Sequence, residues 1–143
     1  LTDSIGKSGH LLFNSVLHYE ALTEVVAASR TYHCNIGSEL LDYMSHVAKT
    51  IQASLQGGML WNKEAGMFRP TSGNCAALID VWGSALAVSV GVASPDQAEA
   101  ILKWFNVNWH QVFQAGQVRH LPQGSYWPNL IFQDNGEFEA YQN

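Results

Sequence analysis

Residues 78–91, LIDVWGSALAVSVG, constrain the fold of this chain most strongly because they are apolar on nearly every side. Small residues are interleaved with the larger apolar ones along the whole segment. A helix with this pattern must be covered on every side by other elements. The segment therefore predicts a fold in which further helices pack around it.

Three other segments have helical periodicity, at residues 10–32, 38–56 and 95–113. The clearest is the second, in which an apolar stripe follows the spacing of three and four residues that marks one helix face. Its members are Leu40, Met44, Val47, Ile51 and Leu55. The sequence thus predicts an all-α chain of four helices, arranged as antiparallel helical hairpins.

Capping signals mark the ends of two of these helices. Ser38 is the expected N-cap of the second helix, and Gly57 with Gly58 is expected to end it. The fourth helix has a stronger signal, the run SPDQ, which places Ser94 at the N-cap and a proline at the first helical position. Gln97 then completes a capping box with Ser94.

The connections between these helices differ in length. Those at about 33–37 and 92–94 are short, whereas 57–77 and 114–143 are long, aromatic and rich in Gly and Pro. Residues 60–70, LWNKEAGMFRP, read as two short extended runs joined by a polar loop, which predicts a small β-hairpin. If the first and third helices are inner helices, both long loops lie at one end, at the N-termini of those helices.

Composition and charge exclude several classes of protein. At 143 residues, with 47% hydrophobic residues, the chain is expected to form a single domain over residues 1–143. A net charge of −5 with scattered basic residues argues against a nucleic-acid partner. No apolar run reaches the roughly 18 residues of a membrane span. The N-terminus has neither an initiator Met nor signal-peptide features, so we expect a processed or truncated chain of unassigned compartment.

Two stretches resemble the six-hairpin glycosidase superfamily, whose fold is an (α/α)6 toroid. LWNKEAGMFRP is similar to the hairpin LW-[DN]-x-E-x-G-x-[FY]-R that follows an outer helix in that superfamily. The second stretch is DVWGSALAVSVGVASPDQAEAIL. It resembles the superfamily's helical hairpin, in which a tight turn joins an inner helix to an outer helix, as in rhamnosidase-like and debranching-type members. The resemblance implies that this chain, with about two of the six hairpins, is a fragment of or subunit for such a barrel.

The resemblance also implies hydrolysis of a glycosidic bond, which requires two carboxyl groups. In the resembling families these lie on loops at the N-termini of inner helices, where this chain has Asp80 and the acidic residues Asp134, Glu137 and Glu139. Glu137 and Glu139 point the same way in an extended segment, although a solvated acidic loop has the same pattern. The alternative for Asp80 is that it caps the third helix. The candidate catalytic residues are Asp80, Glu137 and Glu139.

Aromatic and polar residues of the two long loops are the candidate carbohydrate-binding residues, because rings stack on sugar faces while polar groups fix the hydroxyls. They are Trp61, Phe68, Arg69, Arg119, His120, Tyr126 and Trp127. Packing of the same rings against the end of the barrel is the competing interpretation. Trp104 and Trp109, on the fourth helix, are expected in the core or at an interface.

No cofactor or metal is expected. The histidines show no ligand spacing and no HExxH motif, and neither a phosphate-binding loop nor a nucleophile elbow is present. Cys34 and Cys75 match no metal or redox spacing, which leaves a disulfide and two unpaired thiols as alternatives.

Carbohydrate is the expected partner, together with further copies or parts of the barrel, because two hairpins cannot close a ring. The alternative function is a non-catalytic carbohydrate-binding or structural helical module that oligomerises. A helical interaction module unrelated to sugars is the third candidate.

Overall fold

The computed structural model of this protein describes residues 6–127, which form four helices and two small antiparallel hairpins. The helices are α1 (Leu12–Thr31), α2 (Ser38–Gln56), α3 (Val81–Ser89) and α4 (Pro95–Val112). Strands β1 (Trp61–Asn62) and β2 (Met67–Phe68) form the first hairpin, and β3 (Phe113–Gln114) and β4 (Gln117–Val118) form the second. The prediction of a mostly helical chain with a small hairpin in a long loop is confirmed.

The helix ends follow their capping chemistry. At the start of α4 the Gln97 amide donates to the Ser94 hydroxyl at 3.2 Å, and the Ser94 amide donates to the Gln97 side chain at 2.9 Å. The predicted capping box is therefore present. The prediction for α2 is wrong, because Gly37 is its N-cap and Ser38 is already helical. The helix then ends at Gln56 as the following glycine pair indicates.

The sequence does not predict the second hairpin, because helical periodicity of the apolar residues extends the predicted fourth helix to residue 113. The chain instead turns at Ala115 and Gly116, whose φ angles are 49° and 81°. Phe113 pairs with Val118 across this two-residue loop, as in hairpins whose central residues both have positive φ. Alanine in this conformation is uncommon, which explains why the turn has little sequence signal.

The main core lies where α1, α3 and α4 meet the first hairpin. Trp61 pairs with Phe68 across that hairpin, and Met67 and Phe68 are fully buried. The Phe68 amide donates to the Ser84 hydroxyl of α3 at 3.0 Å, which supplies a partner for a buried polar side chain. The hairpin is therefore a structural part of the core and fixes the loop that leads into α3.

The described residues cover α3 on one side only. Val81, Ser84 and Ala87 are buried, whereas Ala85 and Ser89 are exposed. Trp82, in the first turn of the same helix, is 41% exposed. Complete coverage of this apolar helix, which its sequence predicts, is not reached within residues 6–127.

Candidate functional site

The starts of α1 and α3 and parts of both long loops lie together at one end of the molecule. The Leu12 amide at the start of α1 donates to the Pro70 carbonyl at 3.0 Å. The Val81 amide at the start of α3 donates to the His120 carbonyl, also at 3.0 Å. These contacts bring residues 6–11, 70–75, 80–83 and 119–121 together, and we call this group the loop-bearing end.

Asp80 caps α3 and is only 5% exposed. Its Oδ1 atom accepts a hydrogen bond from the Gly83 amide at 2.7 Å. Burial raises the pKa of the Asp80 carboxyl, while the Gly83 hydrogen bond and then the Lys7 charge oppose that rise. The capping interpretation of Asp80 is thus confirmed, and the same carboxyl is a buried acid whose neutral form is favoured by its surroundings.

Gly83 makes room for the Asp80 carboxyl. A β-carbon at position 83 would lie 2.5 Å from Cδ2 of Leu12 and 2.7 Å from Oδ2 of Asp80. Both distances are far below van der Waals contact, so only glycine fits here without a shift of α1 or of the acid. The short run from Asp80 to Gly83 therefore sets both the cap and the close approach of α3 to α1.

His120 packs against Trp82 and is half-buried. The centroids of the two rings are 3.4 Å apart, and the ring planes are tilted by 51°. Burial, followed by the Lys7 charge, lowers the pKa of His120 to about 4. The imidazole is consequently neutral at pH 7 and can donate from one nitrogen and accept at the other.

Lys7 is a member of this cluster that sequence reasoning missed. Its ammonium nitrogen lies 4.3 Å from the centroid of the Trp127 ring, within the range of a cation–π contact. Its charge also acts on Cys75, Asp80 and His120. No local pattern marks Lys7, because all these neighbours are more than 60 residues away along the chain.

Trp127 and Cys75 belong to a second, smaller core cluster beside Lys7, which also contains Leu121. Trp127 is 6% exposed and also makes an edge contact with His120, so most of its ring is packed against protein. Burial raises the pKa of the Cys75 thiol. Cys75 and Cys34 are both free, and Cys34 is exposed.

The aromatic residues of the first hairpin lie in the main core. Phe68 is fully buried, which leaves no face of its ring for a sugar in this structure. Trp61 is half-buried and contacts Phe68 edge-on at 4.9 Å between centroids. The packing interpretation therefore describes both rings, whereas Tyr126, at 52% exposure, has an open ring.

Both predicted arginines are half-buried. Nε of Arg69 and Nη1 of Arg119 have no hydrogen-bond partner among residues 6–127, although both atoms are buried. Another nitrogen of Arg119 donates to the side chain of Gln114 in β3. Asp134, Glu137 and Glu139 lie outside the described residues.

A separate open groove of about 490 Å³ lies between α1 and α2. It is lined by side chains such as Tyr19, Arg30, Asp42, Lys49 and Gln52, and none of the predicted site residues contributes to it. Within residues 6–127, His, Cys, Asp and Glu side chains form no group of three that could hold a metal ion. None of the helices in that range is long and apolar enough to span a membrane.

Comparison with family models, curated proteins and solved structures finds no match to this chain in any of the three.

Proposed function

We propose that this chain is part of a carbohydrate-processing (α/α)6 toroid of the six-hairpin glycosidase type and that its loop-bearing end faces the sugar. The observation that carries the proposal is Asp80, a buried carboxyl that caps α3 and is followed two residues later by Trp82, whose ring contacts the neutral His120. A raised pKa is what a proton donor needs in glycoside hydrolysis at neutral pH. The two resembling sequence stretches add independent support.

In this mechanism Asp80 donates a proton to the oxygen of the leaving sugar. Its Oδ1 accepts a hydrogen bond from the Gly83 amide, which leaves Oδ2 as the oxygen that carries the proton in this mechanism. Glu137 or Glu139 supplies the second carboxyl, which acts as nucleophile or as the base that activates water. Tyr126 provides an exposed ring for stacking on a sugar face.

The test is the activity of charge-neutral variants on a panel of aryl glycosides and oligosaccharides. Asp80→Asn keeps an acceptor for the Gly83 amide but has no proton to donate, so we expect kcat to fall by about 10²–10⁴-fold. Glu137→Gln and Glu139→Gln identify the second carboxyl. Asp96→Asn is the matched control, since Asp96 is an exposed acid in the first turn of α4. Full activity of Asp80→Asn would refute the role of Asp80.

The second candidate is a non-catalytic carbohydrate-binding or structural helical module that oligomerises. The observation in its favour is an exposed apolar face of α1 with a four-residue repeat, formed by Phe13, Leu17, Ala21 and Val25. Faces of this kind mark contacts with other protein surfaces.

The native mass in solution tests the association that both candidates expect. A particle near three times the 15.8 kDa chain is expected for a ring completed by further copies. Leu17→Glu should abolish that particle, whereas the control Thr50→Glu, at an exposed position of α2, should leave it intact. A 15.8 kDa monomer at all concentrations would remove the oligomeric module and the self-completed ring.

A further inference from the structure

Lys7 is a charged side chain at the loop-bearing end to which the proposed mechanism gives no role. It is half-buried, and the ring of Trp127 is beneath its ammonium group. Its charge acts on groups from three different segments, namely Cys75, Asp80 and His120. Lys7 therefore occupies a central position among the side chains that surround the candidate acid.

The backbone around Lys7 is held in place by the loop that precedes α3. The Ser8 amide donates to the Asn74 side chain at 3.0 Å, and the Asn74 amide donates to the Ser8 hydroxyl at 3.2 Å. A second reciprocal pair joins His10 and Ser72, at 2.9 and 3.0 Å. These paired hydrogen bonds fix the backbone next to Lys7 at the loop-bearing end.

Glycine makes this close contact feasible. A β-carbon on Gly73 would lie 2.5 Å from the Ser8 carbonyl oxygen, and one on Gly9 would lie 2.5 Å from the Ser72 hydroxyl. The two segments thus approach as closely as their backbones allow. Such close packing of the backbone that directly follows Lys7 fits a residue whose position matters.

Lys7 forms no ion pair with another residue in the range 6–127. The ion pair found within residues 6–127 joins Lys103 to Glu99, and both residues are in α4. The nearby Asp80 carboxyl is engaged by the Gly83 amide, and its burial favours the neutral form. A half-buried ammonium that lies over an aromatic ring and forms no ion pair in this range is short of negative charge.

The wider charge distribution points the same way. Two of the seven basic side chains, those of Lys7 and Arg119, belong to the segments that form this end, and Arg69 directly precedes one of them, whereas the chain as a whole carries a net charge of −5. Both arginines have a buried nitrogen without a partner in residues 6–127. Asp80 is the one acidic side chain in the four segments that form the loop-bearing end within residues 6–127.

We propose that Lys7 is a binding residue for the negatively charged group of an acidic sugar, so that the ligand of this end is a carboxylate-bearing carbohydrate. This inference rests on the proposed function and specifies its substrate class. The ligand carboxylate supplies the missing counter-charge at the ammonium of Lys7, and the sugar ring lies toward the open ring of Tyr126. A neutral sugar leaves the ammonium unpaired and binds more weakly.

The experiment is calorimetric titration of the full chain with tetrasaccharides of polygalacturonate, alginate and heparosan, each compared with its own methyl ester. Esterification removes the charge and keeps the sugar, so the ratio of the two affinities isolates the carboxylate. We expect at least one acid to bind about tenfold more tightly than its ester, the size of one charge-assisted contact. This preference should decrease as salt is raised.

Three variants assign the preference to Lys7. Lys7→Met keeps the length of the side chain without its charge and should reduce the ratio to about one. Lys7→Arg should retain the preference, and Lys63→Met, which removes an exposed lysine from the first hairpin loop, should leave it unchanged. Thermal unfolding of each variant shows whether it is folded, and Lys7→Gln replaces Lys7→Met if the latter is not.

The outcomes separate this inference from the proposal on which it rests. Equal binding of acids and esters by the native chain, or an undiminished preference in Lys7→Met, overturns the role of Lys7 and leaves a carbohydrate-binding site in place. Absence of binding by all six tetrasaccharides, together with binding of a neutral oligosaccharide, overturns the acidic-sugar assignment alone. Absence of binding by every carbohydrate overturns both.

Discussion

Acid should destabilise this protein through His120 more than through an exposed histidine. The pKa of the His120 imidazole falls from 6.5 to about 4 in the folded chain, chiefly because the ring is buried and secondly because Lys7 is near. Above pH 6.5 the ring is neutral in both the folded and the unfolded chain. Between pH 6.5 and about 4 the unfolded chain binds a proton that the folded chain does not, so the free energy of unfolding falls as the pH falls.

The size of the effect follows from that interval. Each unit of difference between the folded and unfolded pKa values changes the free energy of unfolding by about 1.4 kcal/mol. For a fully buried ring the total would be about 3 kcal/mol. His120 is only half-buried, and solvent screens the charge of its protonated form. We therefore expect a loss of about 1–2 kcal/mol between pH 7 and pH 4 that is attributable to this residue.

Urea unfolding of the native chain and of His120→Gln at several pH values between 7 and 4 measures this loss. The variant does not titrate in this range, so it should lose about 1–2 kcal/mol less than the native chain. His46→Gln, at an exposed position of α2, is the control and should follow the native chain. Lys7→Met should reduce the loss in part, because the Lys7 charge is the second cause of the shift.

Parallel loss of stability in His120→Gln and the native chain would refute this reasoning. It would mean that water reaches the imidazole in the folded protein and that the ring protonates at its ordinary pKa. An effect confined to His46→Gln would refute it as well.

Three further outcomes follow from the packing around Asp80 and in the core. Gly83→Ala should lower the free energy of unfolding by about 1–3 kcal/mol, measured by urea unfolding, because the added methyl overlaps Leu12 and the Asp80 carboxyl despite the better helix propensity of alanine. Phe68→Ala should cost about 3–5 kcal/mol in the same assay, since the ring is fully buried. Asp80→Asn should gain stability relative to the native chain as the pH rises from 3.8, the ordinary pKa of this carboxyl, to its raised pKa in the folded protein, because in that interval the native fold keeps a proton that the unfolded chain releases; unfolding curves that shift equally with pH would contradict this.

Helix positions could be predicted from sequence where the signal is local. The Ser94–Gln97 capping box needs only four consecutive residues, and the chain forms it as predicted. The turn after β3 could not be predicted in the same way, because Ala115 adopts a positive φ that its side chain disfavours. The apolar Phe113 continues the helical stripe in the sequence, although it pairs with Val118 in the structure.

The candidate site was predictable only in part, for a related reason. Asp80 stands out in the sequence because a carboxyl within an apolar segment must be capped, paired or shifted in pKa. Lys7 has no such marker, since its significance comes from Trp127 and Cys75, which the fold brings to it from distant parts of the chain. The sequence marks His120 by its loop and its chemistry, whereas its contact with Trp82 depends on how that loop crosses the start of α3.

The exposed side of α3 links assembly to the chemistry of Asp80. Trp82 lies within the turn from Asp80 to Gly83 that holds the carboxyl, contacts His120 and is 41% exposed within residues 6–127. If further hairpins cover this side of α3, the same contact removes water from Trp82, His120 and the surroundings of Asp80 together. Desolvation already raises the pKa of the Asp80 carboxyl, and removal of water around Trp82 acts in the same direction, which is the direction that the proposed role of Asp80 as proton donor requires. Assembly and activity should therefore appear together, and a chain that stays monomeric should retain a helix cap at Asp80 without the full strength of an acid catalyst.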